Sequence, residues 1–187
     1  GEVEEGTKKT ALDIGSCYGF FSLNLAEEGY SVIGIDLNPR HTRIANFATP
    51  EKLADICSFV RFHLAPDNIS ITPKTDVTLL LSVWHHWVQS FGFENATEML
   101  KEVWRSSGQS LFFETGEADV KDEFNLPFGA ENPREWIQNY LLETCEDSDV
   151  TEIGEHAAPA YQIHDQIPPK RGLFLVNRIS PSSINGN

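Results

Sequence analysis

Short apolar runs alternate with amphipathic stretches along this chain, the pattern of β-α units laid around a largely parallel sheet. Seven runs read as strands: Ala11 to Ile14, Ser31 to Asp36, Phe59 to Leu64, Val77 to Ser82, Ser110 to Glu114, Val150 to Gly154 and Leu173 to Arg178. Phe20 to Glu28 reads as a helix. So does Phe93 to Arg105, where Phe93, Ala96, Leu100, Val103 and Trp104 recur at the spacing of one buried face. A third helix is predicted to begin at Asn132. That residue can cap, Pro133 suits the first helical position, Glu135 follows three residues after the cap, and Trp136, Ile137, Tyr140 and Leu141 supply the apolar face.

Glu155 to Gly172 is rich in Pro, His and charge and carries no helical pattern, so the last two strands are expected to pair antiparallel at the sheet edge. The expected fold is therefore α/β, a seven-stranded, mostly parallel sheet with an antiparallel last strand and helices on both faces. Residues 1–179 read as one domain, and the polar tail SPSSINGN at 180–187 is expected to fray.

Composition bounds the partners. A chain of 187 residues suits one well-packed core. No apolar run approaches the roughly 18 to 20 residues of a membrane span, and the opening GEVEEGTKKT lacks the apolar stretch of a secretory signal, which makes the cytoplasm the expected location. Cys17, Cys57 and Cys145 are odd in number and far apart, against both a disulfide framework and a zinc cluster. The net charge of −14 would repel a polyphosphate, so nucleic acid is a disfavoured partner and a small molecule or glycan the expected one.

The candidate chemistry starts where ALDIG ends the first strand and SCYG leads into a helix. Such a turn aims backbone N–H groups above the sheet edge, and Gly15 and Gly19 permit the close approach. Ser16 and Cys17 lie within the loop. Asp13, just before it, can hold a cation, which favours S-adenosylmethionine (SAM), a carrier of an ammonium group, over a dinucleotide with its pyrophosphate. Asp36 ends the second strand, where a carboxylate can accept both ribose hydroxyls. A nicotinamide site would want G-x-G-x-x-G, and GSCYGF lacks the middle glycine. Leu37 and Asn38 are placed to touch an adenine, although Asn38 before Pro39 is equally a helix cap. Ser82, ending the fourth strand, completes the expected cofactor set.

On the acceptor side, LLLSVWHHWVQSFG puts Trp84, His85, His86 and Trp87 after the fourth strand, where a methyl group would be presented. An imidazole can take the proton of a hydroxyl nucleophile near neutral pH. His86 is the first candidate and His85 the second, each with the alternative of a histidine satisfying a backbone carbonyl. Glu114, ending the fifth strand, could orient the acceptor or a histidine. No metal is expected, because His85, His86, Glu114, Glu117 and Asp119 match no compact ligand spacing. Glu117, Asp119, Asp122 and Glu123 read as a mobile lid, and Lys170 and Arg171 as cations able to hold an anionic acceptor.

The segment LDIGSCYGFFSLNLAEEGYSVIGIDLNP resembles the first motif, first helix and second-strand acid of class I SAM-dependent methyltransferases. Family members often carry an acid after the third strand that contacts adenine, and here FHLAPDN offers only a late Asp67. The whole run from LSVWHHWVQSFG through LFFETGE to LFLVNR resembles more narrowly the methyltransferase part of bacterial enzymes that cap a surface polysaccharide by phosphorylating and methylating its terminus, and more loosely the carboxymethyl-transfer enzymes of transfer-RNA wobble uridine. The resemblance implies SAM as cofactor, S-adenosylhomocysteine as product, and an oxygen acceptor on a glycan, phosphosugar or small metabolite. For a phosphate acceptor, already ionised, no base would be needed. RNA methylation and a non-catalytic SAM-binding module are the alternatives.

Overall fold

The computed structural model of the protein describes residues 8–129, 132–157 and 170–179; the tail at 180–187 and most of the Glu155–Gly172 connection lie outside them. Seven strands, β1 (Thr10–Ile14), β2 (Ser31–Asp36), β3 (Cys57–Arg61), β4 (Thr75–Leu81), β5 (Ser107–Glu114), β6 (Ser148–Ala157) and β7 (Lys170–Arg178), form one sheet in the order β3-β2-β1-β4-β5-β7-β6. The pairs from β3 through β5 are parallel, and β7 is antiparallel to both neighbours. The order reverses between β1 and β4, where a crevice opens at the carboxyl ends of the strands in folds of this type.

Helices α1 (Phe20–Glu27) and α2 (Pro39–Ala48) cover one face, where Ala26 and Ala45 pack with Ala11, Val32 and Phe59. Helices α3 (Trp84–Phe91), α4 (Phe93–Ser106) and α6 (Pro133–Thr144) build the larger core on the other, with a single turn, α5 (Lys121–Phe124), beside α3. The fourteen residues of α4 bury Ala96, Met99, Leu100, Val103 and Trp104 along one stripe, a packing that stabilises it far more than intrinsic propensity does. At α6, the Asn132 side chain accepts from Arg134 N and Pro133 occupies the first turn.

Three helices, α2, α3 and the single turn α5, are absent from the sequence-based reading. In α3, Trp84, Trp87, Val88 and Phe91 stand at i, i+3, i+4 and i+7, a helical stripe hidden inside an aromatic run that reads as the acceptor side of the site. In α2, Ile44 and Phe47 are exposed while Thr42 and Ala45 are buried, so hydropathy marks the wrong face. The third strand also differs: it ends at Arg61, and Phe62 to Leu64 leave the sheet.

Candidate active site

The loop after β1 is built on special backbone. Gly15 (φ 79°), Cys17 (φ 49°) and Gly19 (φ 85°) all take the left-handed region, which glycine occupies without the usual Cβ penalty. A Cβ on Gly19 would sit 2.4 Å from the Phe59 ring, so this glycine lets α1 start directly against α2 and β3. Gly15 N donates to Ile35 O at 2.8 Å, which ties the loop to the end of β2.

Beside this loop lies a cavity of about 520 Å³, lined by Gly15, Cys17, Asp36, Leu37, Asn38, His41, Phe62, His63, Leu64, Ser82, Val83, His86 and Trp87 among others. The carboxylate of Asp36 is held in place from three sides. Its Oδ2 accepts from Cys17 N at 2.9 Å, and its Oδ1 accepts from Asn38 N at 2.7 Å and faces His41 Nδ1 at 3.3 Å. The edge of Tyr18 packs on His41, with ring centroids 4.7 Å apart. Asn38 lines the cavity, and its side chain caps α2 by accepting from Arg40 N at 2.9 Å.

Of the residues expected to bind cofactor, the structure brings Gly15, Cys17, Asp36, Leu37, Asn38 and Ser82 to the cavity wall. It places Asp13, Ser16 and Gly19 beneath. Asp13 is buried with its Oδ2 accepting from the Ser22 hydroxyl at 2.6 Å, so it braces the loop against α1 and lies behind the cavity wall. The buried Ser16 hydroxyl lies toward Gly34, away from the cavity, and has no hydrogen-bond partner among the described residues. Asp67 is exposed in a turn closed by Asn68, whose Oδ1 accepts from Ala65 N at 2.9 Å; the cavity wall there is Phe62, His63 and Leu64 instead. Those three were legible only as a continuing strand, and His41 only through a helix that hydropathy conceals.

Burial pushes the Asp13 carboxyl up from 3.8 to about 6, against the pull of the Ser22 hydrogen bond. A raised folded-state value means that the neutral form stabilises: its contribution is complete below about pH 4 and is lost as pH rises through about 6, on the order of 2 to 3 kcal/mol in all. Asp13→Asn keeps the acceptor for Ser22 and removes the ionisation. The variant should match the parent near pH 4 and be the more stable at pH 8 in urea denaturation, and equal pH dependence of the two proteins would refute this placement of the proton.

Among the acceptor-side candidates, His86 reaches the cavity and His85 does not. His85 is buried. Its Nδ1 accepts from Gly116 N at 2.9 Å and meets Thr115 Oγ1 at 3.1 Å, and burial, with the neighbouring His86 and Arg171, pushes its pKa down to about 3. It stays a neutral structural imidazole. The His86 ring packs on Phe124 at 5.0 Å, and its pKa is also lowered, first by desolvation and then by the charge of Arg171. Trp84, which its place after the fourth strand put where a methyl group would be presented, is fully buried in the core, while Trp87 does line the cavity.

Glu114 is neither a solvated strand end nor a partner of His85 or His86. Only 2% exposed, it accepts from the Ser82 hydroxyl at 2.5 Å and from Arg171 Nη1 at 3.3 Å. Ser82 itself has φ 57°, a strained conformation for serine that this bond holds. Arg171 also grips Asp119 through Nη2 at 2.7 Å and Nε at 3.2 Å, and Glu117 accepts from Gly172 N at 2.5 Å and from Arg134 Nε at 3.5 Å. Two acids of the expected lid are thus tied to the start of β7. Lys170 is paired with Glu155, so neither member of the expected cation pair stands free for an anion. Among the described residues, no group of three or more His, Cys, Asp or Glu is placed to hold a metal ion, and no helix is long and apolar enough to cross a membrane.

A glycine loop after β1, a second-strand acid and a sheet with β7 inserted antiparallel between β5 and β6 together define the class I, SAM-dependent methyltransferase fold. The methyltransferase-domain family model matches residues 12–120, and the chain belongs to that family. It is 29% identical over 142 residues to the O-antigen chain terminator bifunctional methyltransferase/kinase WbdD of Escherichia coli, a match covering 75% of this chain and 19% of that protein. A crystal structure of WbdD superposes with a TM-score of 0.69 at 24% identity, covering 90% of this chain and 35% of the other. Magnesium protoporphyrin IX methyltransferase from Synechocystis PCC 6803, crystallised with SAM, gives a TM-score of 0.64 at 17% identity over 90% of this chain and 69% of that one. The chain therefore spans about a fifth of the curated relatives it matches.

Proposed function

We propose that this chain binds SAM in the cavity beside Gly15 and Asp36 and transfers its methyl group to an oxygen of a glycan, phosphosugar or small metabolite. The observation that carries the reading is the fixed Asp36 carboxylate at one end of a cavity whose other end is bounded by Ser82 and His86. The residues present suit the cofactor: two carboxylate oxygens for ribose hydroxyls, apolar lining from Leu37, Phe62, Leu64 and Trp87 for a flat base, and a Gly15 whose left-handed backbone turns the loop and whose missing Cβ makes room for the Val83 side chain, 2.3 Å from where that Cβ would sit. A bound SAM supplies an electrophilic methyl on a sulfonium. What the protein contributes is alignment, through the loop and Ser82, and exclusion of water by the aromatic wall.

Calorimetry with SAM and with S-adenosylhomocysteine tests the binding half of this reading. Saturable heat for both is expected, and none with either ligand would leave the fold as an interaction module. A labelled-methyl screen over glycans, phosphosugars and small acids tests the transfer half.

A further inference from the structure

The acceptor end of the cavity carries its own information about substrate charge. Every lysine and arginine of the chain falls within the described residues. Four of them, Lys121, Arg134, Lys170 and Arg171, stand around the carboxyl ends of β4, β5 and β6 and the start of the antiparallel β7. Each is spoken for. Arg171 lies between Glu114 and Asp119, Arg134 reaches Glu117, Glu152 and Glu155, Lys170 is held by Glu155, and Lys121 donates to Gly129 O. Seven carboxylates, adding Asp122 and Glu123 of α5, surround these four cations. Arg171 is the cation nearest the cavity wall, 3.5 Å from the Ser82 hydroxyl, and two acids more than cancel it.

An ionised phosphate brought to this mouth would meet a net negative field with no guanidinium fork free to receive it. A neutral hydroxyl meets no such penalty, but it is a poor nucleophile until its proton leaves. His86 is the one cavity-lining imidazole beside Ser82 and the acid–arginine cluster, on the helix separated from the end of β4 by Ser82 and Val83 alone. We infer that the acceptor is an uncharged hydroxyl, as on a sugar ring, and that His86 removes its proton; the inference rests on the SAM reading above. In the transfer, the hydroxyl oxygen bonds the methyl carbon while the carbon–sulfur bond breaks with its electron pair remaining on sulfur, and the hydroxyl proton passes to the imidazole. The groups facing His86 are His85 on its own helix, Glu123 and Phe124 from α5, and Arg171 from β7. Desolvation and the charge of Arg171 lower its pKa against the opposing pull of Glu123, which favours the neutral form that a base requires.

Two measurements test this, one of them independent of turnover. Inorganic phosphate is titrated into the protein, alone and saturated with S-adenosylhomocysteine, and the His86 imidazole resonances, assigned from the spectrum of His86→Gln, are followed by NMR. No saturable shift into the millimolar range is expected in the parent, whereas Asp119→Asn, which leaves Arg171 partly uncancelled, should gain one. A saturable shift in the parent would overturn the inference while leaving SAM binding untouched. The second measurement offers matched acceptors, simple glycosides and the corresponding sugar phosphates, with labelled SAM. Transfer to the free hydroxyl is expected, with kcat/KM at least about tenfold lower in His86→Gln and the acid limb of the pH profile abolished. Transfer to the phosphate oxygen at an unchanged rate in His86→Gln would sink it. Absence of calorimetric heat with SAM would instead mark failure of the reading beneath.

Discussion

Asp36→Ala is expected to weaken SAM binding by about two orders of magnitude, close to 3 kcal/mol, with little loss of stability. The size follows from what the side chain does. Its carboxylate is held by Cys17 N, Asn38 N and His41, so it meets ribose hydroxyls without first losing rotamer freedom, and hydrogen bonds to a charged group contribute roughly 1.5 to 3 kcal/mol each. The stability cost is small because the backbone donors that it leaves, Cys17 N and Asn38 N, are open to water. Adenosine should lose nearly as much affinity as SAM, since the lost contacts are to the ribose. Methionine binding, measured in competition, should not change. Calorimetry on the parent and the variant checks all three, and equal SAM affinity in the two would remove the ribose from this end of the cavity.

The cofactor end of the site was legible because it is written locally. A glycine loop, a strand and an acid stand in one stretch of sequence, where chain geometry alone brings Gly15 and Asp36 to adjacent strand ends. Asp13 shows the limit of that reading: its place in the motif is clear, but which way it faces is decided by Ser22, nine residues on, which captures its carboxylate. The acceptor end is non-local. Glu114, Asp119 and Arg171 are joined across as many as 57 residues of sequence, and no spacing rule announces that a strand-end glutamate and a cation before the last strand cancel each other. The adjacent histidines were indistinguishable by sequence because a helix, not a loop, carries them, and its roughly 100° step between neighbours turns His85 into the core while His86 meets the cavity.

That same helix supplies the largest effect on stability. Trp84 is fully buried, its ring ringed by Phe93, Phe113, Trp136 and Tyr140 at centroid distances of 6.1, 6.2, 6.3 and 5.2 Å. Its Nε1 donates to the Tyr140 hydroxyl at 3.1 Å, and that hydroxyl donates on to Thr97 at 3.0 Å. The residue therefore ties α3, α4, α6 and β5 together at one point. Trp84→Ala removes the ring, opens a cavity between elements that cannot all collapse into it, and leaves the Tyr140 hydroxyl short of a donor; a loss of about 3 to 5 kcal/mol is expected. Trp84→Phe should recover much of the packing but not the Tyr140 bond, at a cost of roughly 1 to 2 kcal/mol. Urea denaturation of the three proteins measures both. Because His86 and Trp87 ride on the same helix, any Trp84→Ala protein that remains folded should also bind SAM more weakly, through displacement of the cavity wall and not through a lost contact. A Trp84→Ala protein as stable as its parent would contradict the burial of this side chain at the meeting point of α3, α4, α6 and β5.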